Sequence, residues 1–167
     1  MLRLSKKSDY ALIALKDLAL SAPGTSSSAR EIARRYEIPT ELMAKVMQRL
    51  AKRELVASHQ GTRGGYILAR PASQISIADV IQAIDGQVTV TACSEDDETC
   101  EQYSKCTIRD PLWRLKDRIV EFLTALTIHE LARDETLARD ETLEPCPTRI
   151  GSPAAEPVAA MMQPGDY

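Results

Sequence analysis

SAREIARRYEIPTELMAKVMQRLAKRELVASHQGTRGGYILAR, residues 28–70, is the stretch that decides the fold. It opens on Ser28, followed three positions later by Glu31, the S-x-x-E pairing that caps a helix. Ala29, Ile32, Ala33 and Tyr36 then fall at i, i+3, i+4 and i+7, one face of a short helix. Pro39-Thr40 starts the next helix, because proline suits a helix's first turn and not its interior. Its stripe is Met43, Val46, Met47 and Leu50. Two short amphipathic helices separated by Glu37-Ile38-Pro39 predict a helix-turn-helix. Residues 55–59 and 66–70 read as strands joined by Gly61-Thr62-Arg63-Gly64-Gly65, a β-hairpin wing with a glycine-rich, basic tip.

Working outward, residues 5–20 predict a largely buried helix with Ala11, Ala14, Leu15 and Leu18 on one face and Leu12, Ile13 and Ala19 widening it. Downstream, Ser76 caps a helix carrying Ile77, Val80, Ile81 and Ile84, and Gly86 stops it. A cysteine-bearing loop runs from Cys93 to Cys106. After it, Asp110-Pro111 starts a long helix whose Leu112, Leu115, Ile119, Phe122 and Leu126 follow the 3,4,3,4 spacing of a coiled-coil seam, a pattern of self-association. Val120 and Leu123 widen the stripe, so this helix is also expected to pack on the domain body. The hexapeptide ARDETL occurs at 132–137 and again at 138–143, a local duplication to which no function is assigned. The last 24 residues carry 5 of the 9 prolines and are expected to be disordered. The expected fold class is mainly α with a small β-hairpin wing. Its parts are a winged helix-turn-helix over 1–86, a cysteine loop over 87–109, a dimerisation helix over 110–131, and the duplication and tail over 132–167.

A chain of 167 residues with 44% apolar content supports one compact domain plus an appendage. No run approaches the ~18 apolar residues of a membrane span, since the longest, over 10–22, is interrupted by Lys16 and Asp17. With no convincing secretory cleavage pattern either, a cytoplasmic protein is expected. The net charge of −3 conceals a division. Residues 1–70 hold 13 Lys and Arg against 6 Asp and Glu, net +7, while the remainder holds 8 against 18, net −10. Only the N-terminal part has the charge to meet a polyanion.

With the Met43 stripe facing the core, the opposite face of the second helix of the pair shows Glu41, Ala44, Lys45, Gln48, Arg49 and Lys52. Lysine and arginine neutralise phosphates, and Gln48 and Arg49 have the reach for base edges. Thr40, with the helix's first amides, offers a phosphate seat. Arg63, flanked by Gln60 and Thr62, suits a minor groove. Ser28, opening the first helix of the pair, completes the expected DNA contacts. The expected partner is double-stranded DNA, with no membrane and no small-molecule substrate.

Cys93, Cys100 and Cys106 are spaced C-x6-C-x5-C, neither a zinc knuckle nor a C-x-x-C dithiol. Three thiolates on one irregular loop suit a larger object than a single ion, such as an iron–sulfur cluster. The helix starting at Asp110 turns its positive end towards them. Glu95, Asp96, Asp97, Glu98 and Glu101 oppose added negative charge, which suits a labile sensor. Cys146 reads as a bystander, and His59 and His129 as structural residues on a wing strand and the long helix. With only 4 cysteines, a disulfide scaffold is excluded. There is no glycine-rich nucleotide fingerprint, no nucleophile-and-base signature and no four-cysteine ferredoxin run, so no catalytic residues and no enzymatic activity are expected.

The opening MLRLSKKSDYA, the wing GTRGGYILA, the three cysteines and the following Pro111-Leu112-Trp113 resemble the IscR/NsrR-type regulators of the Rrf2 family. The likeness spans about residues 1–131 and is strongest to the subgroup that controls the SUF iron–sulfur assembly operon. It implies a homodimeric winged-helix regulator, expected to be a repressor, with a 2Fe–2S or 4Fe–4S cluster held by Cys93, Cys100 and Cys106. One branch adds a histidine three residues past the last cysteine, where this chain has Arg109, which cannot coordinate. Another adds an aspartate from the partner subunit, and Asp9 falls at that place. The alternatives left open are a nitric-oxide or oxidant sensor of the same family, or an iron–sulfur redox protein that does not bind DNA.

Overall fold

The computed structural model describes residues 4–22, 24–60, 64–89 and 103–138. Helix α1 spans Lys6–Leu20, α2 Ala29–Arg35 and α3 Thr40–Lys52. The wing follows as β1 Val56–His59 and β2 Gly65–Leu68. After a 3-10 turn at Ala72–Gln74 come α4 Ile77–Ile84, a second 3-10 turn at Tyr103–Lys105, α5 Arg109–Ala125 and α6 Ile128–Ala138.

The expected core stripes of α1, α3 and α4 are buried, whereas on α2 only Ile32 and Ala33 are, with Ala29 half-buried and Tyr36 exposed. Ala11, Ala14, Leu15 and Leu18 of α1 meet Ile32 and Ala33 of α2, Met43, Val46, Met47 and Leu50 of α3, and Val80 and Ile84 of α4 in one cluster. The Ser28 cap forms in full: its amide donates to Glu31 Oε2 at 2.8 Å, and the Glu31 amide donates back to Ser28 Oγ at 3.2 Å. Ser76 and Asp79 repeat the device at the start of α4.

Both helix-turn-helix members end in a way their sequence does not advertise. Glu37 and Glu54 sit in the left-handed region at φ 53° and 56°, where glycine is usual. In each case the next residue is a buried aliphatic whose amide reaches back to the helix. Ile38 N donates to Ala33 O at 2.9 Å, and Leu55 N to Leu50 O at 3.0 Å. Burial of Ile38 and Leu55 offsets the steric cost of the left-handed glutamates, of order 1–2 kcal/mol each.

The wing pairs antiparallel in the register Val56↔Leu68 to His59↔Gly65. Tyr66 also exchanges both backbone hydrogen bonds with Ser27, which fastens the wing to the segment before α2. A Cβ on Gly65 would stand 3.0 Å from Ser26 Cβ and Oγ, so any larger residue there would have to push Ser26 aside by a few tenths of an ångström. The tip residues Gly61, Thr62 and Arg63 lie outside the described residues.

One expectation is corrected. The helix foreseen across 110–131 is two helices, because Leu126 is extended and Thr127 restarts the chain. The Thr127 amide donates to Glu130 Oε2 at 2.8 Å and the Glu130 amide to Thr127 Oγ1 at 3.3 Å, a capping box. These bonds hold the Glu130 carboxyl below its usual range. Ile77 N donates to Leu126 O and Ile128 N to Ile75 O, both at 2.9 Å, which pins the break against the start of α4. Ile128 is thereby fully buried and α6 packs on α1. His129 therefore belongs to α6, as does the first ARDETL copy. The second copy beyond Ala138 and the tail with Cys146 lie outside the described residues.

Asp17, an interruption in the apolar run, is 4% exposed and accepts from Arg35 Nη1 and, at 3.0 Å, from Tyr36 OH. It joins α1 to the end of α2 and holds the Arg35 guanidinium above its ordinary value. Asp17→Ala is expected to destabilise the protein by about 2 kcal/mol, mainly by removing the charge-assisted bonds from Arg35 and Tyr36 that tie α1 to the end of α2. Urea denaturation measures this. A loss below about 0.5 kcal/mol, the level of a solvated ion pair, would mean the contact does not hold the helices together.

Candidate nucleic-acid interface

Burial of Met43, Val46, Met47 and Leu50 fixes the rotation of α3 about its axis. Glu41, Lys45, Gln48, Arg49 and Lys52 therefore face outward and are exposed, with Ala44 half-buried between them. Pro39, not Thr40, occupies the cap position, and no side chain bonds there. Leu42 N and Met43 N both donate to Pro39 O at 3.0 Å, so the helix's own ladder begins after the Thr40 and Glu41 amides. Thr40 is exposed beside them.

Lys7 of α1 joins this face, a contribution that helical periodicity within α3 does not reveal. It lines a depression of about 300 Å³ together with Lys45, Gln48, Arg49 and Lys52. Four cations around one concavity make a surface suited to an anion. Arg49 is placed differently from the other three. Its Nη1 donates to Ile84 O at the end of α4, at 2.9 Å, so part of its guanidinium is committed within the chain. Ser28 is likewise occupied by its bonds to Glu31. Gln60 is exposed just past β1, while Thr62 and Arg63 lie outside the described residues.

Where Arg49 grips α4, a second network meets it. Asp85 accepts Ser5 Oγ at 2.6 Å, Ser8 Oγ at 2.7 Å and the Ser5 amide at 3.3 Å. Burial pushes the Asp85 carboxyl up, but the bonds from Ser5 and Ser8, helped by the Lys7 charge, outweigh it and hold the group below its ordinary value. Gly86 follows at φ +94° and ends α4. Asp9 is exposed in the first turn of α1, its amide bonded to Ser5 O at 3.1 Å.

Of the three loop cysteines, Cys106 is described: a free, half-buried thiol just before α5. Cys93 and Cys100 lie outside the described residues, and among the described residues no group of His, Cys, Asp and Glu is gathered as a metal site. Cys106 stands three residues before Arg109, the first residue of α5. Arg109 Nε donates to Asp110 Oδ1 at 2.7 Å, and this bond holds the Asp110 carboxyl below its ordinary value. Trp113 buries its indole N–H with no acceptor among the described residues. Along α5 no residue is buried, and the seam residues Leu115 and Phe122 are 46% and 64% exposed.

Residues 4–134 match the family Rrf2, described as an iron-dependent transcriptional regulator. The chain is 38% identical over 137 residues to the HTH-type transcriptional regulator IscR of Sodalis glossinidius, covering 81% of this chain and 82% of that one. It is 34% identical over 154 residues to IscR of Escherichia coli, covering 89% and 94%. Among solved structures, T. potens IscR superposes with a TM-score of 0.64 at 25% identity, over 87% of this chain and 94% of that one. CymR (YrzC), the global cysteine regulator of B. subtilis, gives 0.63 at 26% identity, over 80% and 98%. The helical body with its two-stranded wing is the winged-helix fold these regulators share, and no helix among the described residues is long and apolar enough to cross a membrane. These similar proteins are transcriptional regulators rather than enzymes, and on the match over residues 4–134 this chain belongs to the Rrf2 family as a helix-turn-helix regulator of the IscR type.

Proposed function

We propose that the chain is a cytoplasmic, homodimeric repressor of SUF iron–sulfur assembly genes whose operator affinity is set by an iron–sulfur cluster on Cys93, Cys100 and Cys106. The observation that carries this reading is the place of Cys106, a free thiol at the N-terminal end of α5, on the segment that leads from the reading domain into the unburied apolar seam. The donor set fits the group: thiolates are the ligands iron–sulfur clusters take, and the α5 amides favour negative charge. The buried Trp113 N–H adds a donor in the same helix. The cluster would supply a state that changes with iron and oxidant supply. Arg109 offers no lone pair, so Asp9 of the partner subunit is the fourth ligand in this reading.

Lys7, Lys45 and Lys52 neutralise phosphates, Gln48 reads base edges in the major groove, and Thr40 seats a backbone phosphate with the first amides of α3. Arg49 contacts DNA with the part of its guanidinium left over from Ile84. Gln60, Thr62 and Arg63 carry the wing to the adjacent minor groove. Ser28 supports the first helix of the pair from beneath. The seam Leu112, Leu115, Ile119, Phe122 and Leu126 pairs two chains, so that two α3 helices stand about 34 Å apart, one turn of DNA. Residues 1–86 form the reading domain, 87–109 the cluster loop, and α5 the dimer contact, ending at Ala125.

Anaerobically purified protein is expected to show visible sulfur-to-iron charge-transfer bands with acid-labile sulfide, and its iron content separates 2Fe–2S from 4Fe–4S. Cys106→Ser removes the bands. A colourless protein that resists anaerobic reconstitution would end the cluster assignment, and the SUF assignment with it.

Asp9→Ala is expected to shorten the cluster's lifetime in air while leaving the dimer intact. An unchanged spectrum and lifetime would exclude Asp9 as a ligand.

Lys52→Ala is expected to weaken DNA binding and lower the slope of log K against log salt by about 0.9, one phosphate contact. The same affinity and slope as the parent would put α3 outside the groove.

A further inference from the structure

The bonds around Asp85 converge on one corner of the molecule. Its carboxylate holds the Ser5 hydroxyl and amide and the Ser8 hydroxyl, which together make the first turn of α1. Ser8 is fully buried, so its hydroxyl meets Asp85 with little competition from water. Lys7 lies between the two serines and lines the basic depression of α3. One residue before Asp85, the Ile84 carbonyl takes Arg49 Nη1 from α3 itself. One residue after it, Gly86 turns the chain out of α4, and Cys93 follows seven residues on.

Residues 84–86 therefore touch three things at once: the reading helix, the α1 turn that carries Lys7, and the start of the cysteine segment. We propose that Asp85 is a positioning residue that couples the cysteine loop to the DNA-reading face, setting where Lys7 and Arg49 stand according to the state of that loop. This inference rests on the cluster-controlled DNA-binding function proposed above. Tension or release at Gly86 moves the Ile84–Asp85 corner. The Asp85–serine bonds pass that shift to Lys7, and the Ile84–Arg49 bond passes it to α3. The link is short and polar, made between side chains, one backbone amide and one carbonyl. It is therefore separable from the hydrophobic core, whose contacts remain when Asp85 is replaced.

The test compares the full-length protein in its cluster-loaded and chelator-stripped forms. The DNA is the duplex of about 30 base pairs that the loaded parent protein selects from a random-sequence pool. The parent is expected to bind with affinities that differ by at least about fivefold between the two states. Asp85→Ala is expected to bring that ratio within about twofold, with visible bands and cooperative melting retained. A residue that only stabilises the fold lowers both affinities together and leaves the ratio alone. Asp85→Asn keeps the volume and one acceptor oxygen and is expected to restore part of the ratio, as is Ser5→Ala, which spares the Ser8 bond. A parental ratio in Asp85→Ala would overturn the coupling. If Asp85→Ala does not fold, a parental ratio in both Asp85→Asn and Ser5→Ala overturns it equally. Equal affinities in the two states of the parent, with its cluster bands intact, would instead overturn the cluster-control reading itself, and the coupling with it.

Discussion

Four side chains on one helix set the geometry of everything else. Met43, Val46, Met47 and Leu50 are at most 1% exposed, and each contributes about 1.5–3 kcal/mol by leaving water. An α-helix advances about 100° per residue, so any other rotation of α3 would bury Lys45 or Gln48 and expose part of that stripe. The face turned outward is therefore not chosen residue by residue. It is what remains after the core is filled, and the positive charge of α3 lies there because charged groups have no place on the other side. Lys7 is brought to the same surface by the same logic, since Ala11, Ala14, Leu15 and Leu18 fix the rotation of α1 in that core.

Patterns within a single helix were legible for this reason. The stripes of α1, α3 and α4 and the caps at Ser28 and Ser76 each depend on residues within one or two turns of each other, and the order of residues displays them directly. The left-handed conformation of the turns after α2 and α3 was not, because the usual signal is glycine and here glutamate stands in that position. What selects that conformation is the burial of Ile38 and Leu55, a tertiary fact. The break at Thr127 had a local signal, T-x-x-E, but it follows directly on an apolar repeat that runs up to Leu126. The decisive bonds run from Ile75 and Ile77, some 50 residues away in sequence.

Side-chain roles that depend on distant partners were the least visible. Asp17 reads as a flaw in an apolar run and is instead a buried link to Arg35 and Tyr36. Arg49 reads as one more cation on an open face, and its bond to Ile84 follows only once α3 and α4 are packed. Lys7 belongs to the basic depression by proximity alone. Among the proposed cluster ligands, Cys106 and Asp9 are placed by the fold, whereas for Cys93 and Cys100 the argument remains one of spacing and chemistry.

The elements bracketing the cysteine segment constrain what it can do. At its start stands α4, tied to α3 through Arg49 and to α1 through Asp85. At its end stands α5, whose far end is fastened back to the start of α4 through the Ile77–Leu126 and Ile128–Ile75 bonds. The segment from 87 to 108 thus closes a loop between two helices that already share a junction. A change in its effective length cannot be absorbed by letting α5 swing free, because the junction at Ile75–Ile77 holds it. The routes by which it can reach the described elements are a rotation of α5 about that junction and a displacement at the Ile84–Gly86 corner. In the homodimer proposed above, the first would alter the angle between two chains paired through the seam, and the second the reading face of each. A ligand that shortens or rigidifies this segment therefore has both the spacing and the shape of the DNA-reading surface within reach, with no need to touch α3.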